Sequence, residues 1–145
     1  MKHIYIASSW KNQHAVEMLT KHLRAKGYQV NSFVENNELT PLDHEKGITF
    51  DQWCSSASGD RCFDYDVKSA MNAALVIYIS PSGTDAWAEV GAAYARRVPI
   101  LGLYAKGEPA GLMRKMMLRW HYNFIELLKH VDYCMVSSVI DPASR

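Results

Sequence analysis

The stretch LVIYISPSGTDAWAEVGAAYARRVPILGLY, residues 75–104, decides the fold of this chain. Its first six residues, 75–80, carry no charge and are rich in β-branched side chains, which predicts a buried strand. Ser82 and Asp85 form a capping pair that predicts the start of a helix. Residues 98–104 then predict another strand. A strand, a helix and a strand in this order are typical of a parallel βαβ unit.

The same alternation continues on both sides of this unit. It predicts strands at residues 3–8, 28–34 and 119–122, and helices at residues 10–26, 108–117 and from 123 onward. Gly27 is expected to end the first helix, and Asn123 is expected to cap the last one. We therefore expect one α/β domain over residues 1–145. Its mainly parallel sheet of four to five strands would be covered by helices on both faces.

Residues 35–61 show no clear periodicity of apolar residues, and they are rich in residues typical of turns and loops. A connector of this length inside a compact domain is usually functional or disordered. Because it carries Phe50 and Trp53, we predict a partly ordered lid. We expect a helix to resume at Cys62 with Phe63 on its buried face. The tail, residues 132–145, is ambiguous and could add a strand.

Composition excludes several classes of function. The net charge is +1 and shows no basic stripe, which indicates neither nucleic acid nor a membrane as partner. No apolar run approaches ~18 residues, so we expect a cytoplasmic protein. Three cysteines, Cys54, Cys62 and Cys134, form no CxxC pair and are expected to be reduced thiols. The histidines lack ligand spacing, and no GxGxxG follows the first strand, so we predict no metal and no cofactor.

Glu89 is the most informative candidate for chemistry. It lies on a helix of small residues, and Ala86 and Ala93 beside it leave room for a ligand. We expect the helix dipole to favour its ionised form, which suits attack on the C1 atom of a sugar. The opposite interpretation is a surface glutamate paired with Arg96 or Arg97. On the same helix, Trp87, Val90 and Tyr94 are expected to pack on the sheet.

Other candidates should meet Glu89 where the parallel strands end, the edge at which such sheets bind ligands. Each has a structural interpretation beside the functional one. The serine–glycine turn could bind a phosphate or a sugar hydroxyl, or only cap a helix. Asp66 could orient a sugar, act as a general acid, or be an ordinary exposed acid. Tyr5 could belong to the core, and the lid aromatics could stack a base or pack the lid. The predicted substrate-binding residues are Ser8, Ser9, Trp10, Phe50, Trp53, Ser82, Gly83 and Thr84.

Three segments resemble the nucleoside 2-deoxyribosyltransferase-like family, especially its small bacterial and phage members. They are IYIASSWKNQ at 4–13, VIYISPSGTDAWAEVGAAYA at 76–95 and GEPAGLMRKMM at 107–117. The resemblance implies a flavodoxin-like, or Rossmann-like, three-layer sandwich that acts on the N-glycosidic bond of nucleosides or nucleotides. It also implies a homodimer or a larger homo-oligomer. Glu89 falls on the position of the catalytic glutamate, and Asp66 and Tyr5 fall on positions that assist it.

The chain departs from the family pattern at the serine–glycine turn. Pro81 stands where an aspartate is usual, and two extra residues separate Ser82 from Glu89. This departure favours hydrolysis over transfer between bases. The leading hypothesis is an N-glycosidic bond hydrolase or deoxyribosyltransferase with Glu89 as nucleophile. The alternatives are a nucleotide-binding sensor without turnover and a TIR-type NAD hydrolase, although that type reads W-x-x-E where this chain reads W-A-E.

Overall fold

Five parallel strands form one sheet in this computed structural model, which describes residues 2–36, 47–109 and 111–137. The strands are β1 His3–Ala7, β2 Gln29–Ser32, β3 Leu75–Ile79, β4 Ile100–Leu103 and β5 Arg119–His121. The helices are α1 Gln13–Ala25, α2 Phe50–Cys54, α3 Ala57–Met71, α4 Thr84–Ala95 and α5 Phe124–Val136. Short 3₁₀ turns occupy Trp10–Asn12, Phe33–Asn36 and Leu112–Met116. The predicted mainly parallel α/β fold is confirmed.

The strand order β2-β1-β3-β4-β5 is the flavodoxin-like order. In the register, Ile4 of β1 lies beside Val30 of β2 on one side and Leu75 of β3 on the other. The chain leaves β1 toward β2 and later crosses back to place β3 on the opposite side of β1. The connections that follow these two neighbouring strands therefore diverge, and this divergence opens a crevice at their carboxyl ends.

Alternation of side chains along the strands builds two cores and three layers. Ile4 and Ile6 of β1 face α1 and α5, whereas Tyr5 and Ala7 face α3 and α4. On β3 the same alternation separates Ile77 from its neighbours Val76 and Tyr78. All five residues of β3 are buried because helices cover the sheet on both faces. Of the described residues, none belongs to a helix both long and apolar enough to cross a membrane.

Two predicted helix boundaries are confirmed by local geometry. Gly27 follows α1 with a φ of +90°, a conformation that side-chain-bearing residues rarely adopt. The Asn123 side chain accepts a hydrogen bond of 2.9 Å from the backbone N–H of Glu126 and so caps α5. That helix continues to Val136, so its last turns occupy part of the tail for which a strand was considered. Residues 138–145 of that tail lie outside the described residues.

The predicted lid is partly wrong, because helices occupy much of it. Thr49 and Gln52 form a capping box that starts α2, and Ser56 caps α3, so α3 begins five residues before Cys62. Residues 37–46 of the lid lie outside the described residues. The expected buried face of α3 is also wrong, because Phe63 is 67% exposed. Small residues and Cys62 face the interior instead, since α3 packs closely against α4.

The helix that carries Glu89 differs from its prediction in two ways. Its cap residue is Gly83, and Ser82 makes no capping hydrogen bond, so the expected capping pair is wrong. Its buried face is formed by Ala86, Val90 and Ala93, whereas Tyr94 is half exposed. Small residues face the sheet because α4 lies near both α3 and the strands. The helix predicted at 108–117 is likewise wrong, since the regular structure among the described residues of that segment is the 3₁₀ turn Leu112–Met116.

We expect Gly102→Ala to lower the free energy of unfolding by about 1–3 kcal/mol, measured by urea denaturation. A Cβ at Gly102 would overlap the ring of Trp120 on the neighbouring strand, and that ring is held by Tyr78 and Arg114. Gly91→Ala is the matched control, because a Cβ in that helical position meets no atom within 4 Å. It should raise the same free energy by up to about 1 kcal/mol. Equal effects of both variants would contradict this account of the β4–β5 contact.

Candidate active site

A cleft of about 640 Å³ opens at the carboxyl ends of β1 and β3. Ten of the eleven candidate residues named from the sequence line it, and Tyr5 is the one that does not. The ten are Ser8, Ser9, Trp10, Phe50, Trp53, Asp66, Ser82, Gly83, Thr84 and Glu89. They come from the ends of two strands and from three different helices. The sheet edge predicted from strand order therefore brings together residues that are up to 81 positions apart in the chain.

A small hydrogen-bond network holds the two strand ends together under the cleft. The Ser8 hydroxyl donates to the backbone oxygen of Ile79 at 2.8 Å. The Asn12 side chain donates to the Ser8 hydroxyl at 3.0 Å and to the backbone oxygen of Pro81 at 2.6 Å. Ser8 thus lies at the cleft with its hydroxyl engaged by the scaffold. Asn12 was not predicted, although it sits one turn after the serines and its amide can bridge two carbonyl-bearing segments.

Glu89 lies in the second turn of α4 and keeps only 8% of its surface exposed. One of its carboxyl oxygens, Oε2, is buried and has no hydrogen-bond partner among the residues that the structure describes. The interpretation of a surface glutamate paired with Arg96 or Arg97 is therefore wrong. Burial, and then the neighbouring charge of Asp66, raise the pKa of Glu89 to about 8. The expectation that the helix dipole keeps this carboxyl ionised is also wrong, because desolvation outweighs it beyond the first turn.

Asp66 and Tyr5 complete a buried cluster with Glu89. Burial raises the pKa of Asp66 to about 6, and interactions with Tyr5 and Asn36 oppose that rise. Tyr5 is fully buried in β1 beneath the cleft, and burial followed by the two carboxyl charges raises the pKa of its phenol. The Tyr5 hydroxyl interacts with both carboxyl groups but makes a hydrogen bond of standard geometry with neither. The oxygen Oδ1 of Asp66 is likewise unpartnered.

Two interacting carboxyl groups with raised pKa values titrate as a pair. Between pH values of about 6 and 8 the pair of Glu89 and Asp66 holds one proton. Such a pair can present a carboxylate as a nucleophile and a carboxylic acid as a proton donor in the same cleft. This is the chemistry that hydrolysis of a glycosidic bond requires.

The rim of the cleft offers unused hydrogen-bond donors. The hydroxyls of Ser9 and Ser82 are buried and have no partner within the described residues. No side chain caps α4 at Gly83, so its first N–H groups also remain open to a ligand. Together these groups can bind the hydroxyls of a sugar. Ser9 follows β1, whereas Ser82 and Gly83 follow β3 and lead into the helix that carries Glu89.

Aromatic side chains form two walls of the cleft. Trp10 packs edge-on against Phe33 with ring centres 5.1 Å apart, and Phe50 lies 5.9 Å from Trp53. The indole N–H of Trp53 is buried and has no partner within the described residues. Flat apolar rings with one free donor are suited to a nucleobase. Phe33 was not predicted, although its place directly after β2, at the same sheet edge, is a signal that was available.

Ala86, which was expected to leave room for a ligand, also lines the cleft, and three further lining residues were missed from the sequence: Asn36, Cys62 and Asp85. Asp85 adds a third carboxyl group, and its charge contributes to the raised pKa of Glu89 and of Asp66. The lining residues that the structure describes include no Lys, Arg or His. The cleft is therefore acidic, which strengthens the retention of a proton on the pair.

No protein-family model and no curated protein matches the chain. Solved structures are similar to it, and these include the following two. A CMP N-glycosidase of Clostridium botulinum superposes with a TM-score of 0.56 at 19% identity, over 90% of this chain and 99% of that one. A 2-deoxyribosyltransferase of Bacillus psychrosaccharolyticus superposes with a TM-score of 0.64 at 20% identity, over 86% and 88%.

The chain shares the fold of both enzymes. At this level of identity the fold is what the comparison establishes, and it confirms the flavodoxin-like architecture that the three sequence motifs implied. The roles of individual residues rest on the geometry of the cleft described above.

We expect the free energy of unfolding to fall as the pH rises from 5 to 8.5, and Glu89→Gln to reduce that fall. Native Glu89 retains its proton up to a pH of about 8, whereas an unfolded glutamate ionises near 4.5. The unfolded state thus binds fewer protons in this window, and the raised pKa costs stability as the pH increases. At about 1.36 kcal/mol per pKa unit, the difference between the proteins should be on the order of 3 kcal/mol. Urea unfolding of both proteins at pH 5 and at pH 8.5 measures this difference. An equal fall of the free energy of unfolding in wild type and Glu89→Gln would contradict a buried Glu89 that keeps its proton.

Proposed function

We propose that the protein breaks the N-glycosidic bond of a nucleoside or nucleotide, with Glu89 as the nucleophile. The observation that carries this proposal is a single arrangement. A buried carboxyl group with an unpartnered oxygen faces a cleft of nucleoside size, beside a second carboxyl group that can hold a proton. The shared fold with a CMP N-glycosidase and a 2-deoxyribosyltransferase supports the same chemistry.

In the first step the single proton of the pair passes from Glu89, which has the higher pKa, to Asp66. The Glu89 carboxylate then attacks C1′ of the sugar as the bond from C1′ to the base nitrogen breaks. Asp66 donates its proton to the departing base, so a neutral base leaves and a glycosyl ester remains on Glu89. In the second step the Asp66 carboxylate takes a proton from water, and the resulting hydroxide attacks C1′. Glu89 is released as a carboxylate and Asp66 regains its proton. Attack by a second base in place of water would give transfer.

The other candidate residues bind the substrate in this proposal. Ser9, Ser82 and the open N–H groups at the start of α4 contact the sugar hydroxyls or the 5′ end. The rings of Trp10, Phe50 and Trp53 stack against the base. Because Pro81 replaces the usual aspartate of the family pattern, we favour water over a second base as the acceptor. We also propose that the protein forms a homo-oligomer.

Glu89→Gln and Glu89→Ala should each lower kcat for base release by at least about 10³-fold, because both remove the nucleophile. Chromatographic detection of free bases from a panel of nucleosides, nucleoside monophosphates and NAD measures this. Glu17→Gln is the control, since that glutamate lies on the exposed surface of α1 and should keep wild-type rates.

Each other outcome of the panel has a distinct meaning. Equal rates for wild type and Glu89→Ala would remove Glu89 from the mechanism. Release of nicotinamide from NAD alone would favour a TIR-type hydrolase. Tight binding of a nucleotide by calorimetry, without base release and unaffected by Glu89→Gln, would favour a sensor.

The dependence of kcat/KM on pH should be bell-shaped, with limbs at about 6 and about 8, because the active form holds one proton on the Glu89–Asp66 pair. In Asp66→Asn the loss of the neighbouring charge should lower the pKa of Glu89 and remove the falling limb above 8. Its maximum kcat/KM should drop by about 10²–10⁴-fold with the loss of the acid.

Asp64→Asn is the matched control for this series. Asp64 lies on the same helix as Asp66 but is exposed and paired with Lys68, so its variant should keep the wild-type profile. A wild-type profile that rises to a plateau above pH 8 would assign Asp66 to holding the sugar and not to moving a proton.

A further inference from the structure

Glu108 is a carboxylate outside the cleft that gathers an unusual number of donors. It follows β4 and accepts hydrogen bonds from the Tyr78 hydroxyl at 2.6 and 2.7 Å. It also accepts from the Ser80 hydroxyl at 3.1 Å, from the backbone N–H of Ser82 at 3.3 Å and from the indole N–H of Trp87. One side chain therefore binds four groups on three consecutive parts of the chain.

These four donors belong to the elements that build one side of the cleft. Tyr78 and Ser80 lie at the end of β3, Ser82 lies in the turn, and Trp87 lies in the first turns of α4. Ser82 lines the cleft with an unpartnered hydroxyl, and Glu89 follows Trp87 by two residues. A displacement of the Glu108 side chain would therefore also move Ser82 and Glu89.

The chemistry of Glu108 is that of an acceptor. Burial by itself would raise its pKa, but the hydrogen bonds from Tyr78, Trp87, Ser80 and the Ser82 N–H together lower it. The group is therefore ionised at neutral pH, and its oxygens are occupied by donors of the protein itself.

We propose that Glu108 is a positioning residue of the active site. Its carboxylate fixes the Ser82 turn to the start of α4, which sets where the Ser82 hydroxyl and the Glu89 carboxyl meet the sugar. This inference rests on the proposed function for its kinetic consequences, but the anchoring itself is independent of any activity. Glu108 lies in the segment GEPAGLMRKMM, and no role was predicted for it from the sequence.

Glutamine cannot replace this residue, although it has the same shape. One carboxylate oxygen accepts from the Trp87 N–H and the other accepts from the Ser82 N–H. An amide NH₂ in either place would set two donors against each other, and neither partner can reverse its role. Tyr78 and Ser80 are hydroxyls and could reorient, so the loss falls on Ser82 or Trp87.

The test compares wild type, Glu108→Gln and Glu126→Gln by amide hydrogen exchange, by ¹⁵N–¹H spectra without ligand, and by steady-state kinetics. Glu126 is exposed on α5 and serves as the control. In Glu108→Gln we expect exchange at the Ser82 amide to become at least about tenfold faster and the Trp87 indole resonance to move upfield. We expect KM to rise several-fold and kcat to fall by about 10- to 100-fold, with both limbs of the pH profile unchanged. Glu126→Gln should match wild type throughout.

The proposal would be overturned if Glu108→Gln kept both the Ser82 amide exchange rate and the KM of the wild type. If the wild-type protein releases no base from any substrate, the proposed function fails while Ser82 exchange still decides the anchoring. If Glu108→Gln does not fold, Tyr78→Phe and Trp87→Phe each remove one donor and keep an aromatic ring in place. Unchanged Ser82 exchange in both of these variants would also overturn the proposal.

Discussion

The structure depends on one constraint, which is that β1 and β3 are parallel neighbours whose outgoing connections diverge. The segment after β1 leads to α1 on one face of the sheet, and the segment after β3 leads to α4 on the other. The Ser8 hydroxyl and the Asn12 amide bridge the two segments at the base of the gap. Every candidate group belongs to one of these two segments or faces them. The order of the strands therefore determines where the site lies, whatever side chains it carries.

Part of the energetic cost of the site lies in three deeply placed oxygens. Within the described part of the chain, Tyr5, Asp66 and Glu89 place polar atoms in the interior without standard partners, although most buried polar groups in proteins are satisfied. A cluster of this kind weakens the protein unless a ligand supplies the missing partners. Groups with strongly perturbed pKa values cluster at the functional sites of proteins. The protonation of Glu89 reduces that cost, because a neutral carboxyl is cheaper to bury than a carboxylate.

Much of the fold followed from periodicity and from the ends of elements. β3 could be predicted because five apolar residues lie between a helix and a turn. Asn123 could be predicted as a helix cap, and the structure confirms it. The helices α2 and α3 were harder, since their caps at Thr49 and Ser56 sit among residues that also suit loops. Small buried residues such as Gly59 carry almost no hydrophobic signal, so the inward face of α3 was assigned to Phe63. The cleft residues were found because the sheet edge was known. Glu108 and Asn12 act through hydrogen bonds to side chains and backbone groups distant in the chain, which no spacing rule reveals.

The two walls of the cleft differ in how far they pack against the hydrophobic core. Trp10 packs on Phe33, which belongs to the apolar layer between the sheet and α1. The opposite wall, α2, is five residues long and buries none of them, so its aromatic rings contribute little to folding. A substitution at Phe50 therefore alters this wall of the cleft while leaving the packing of the sheet intact. Asp66 and Glu89, by contrast, stand on helices that pack on the strands, so the shape of the cleft can vary at one wall independently of the fold.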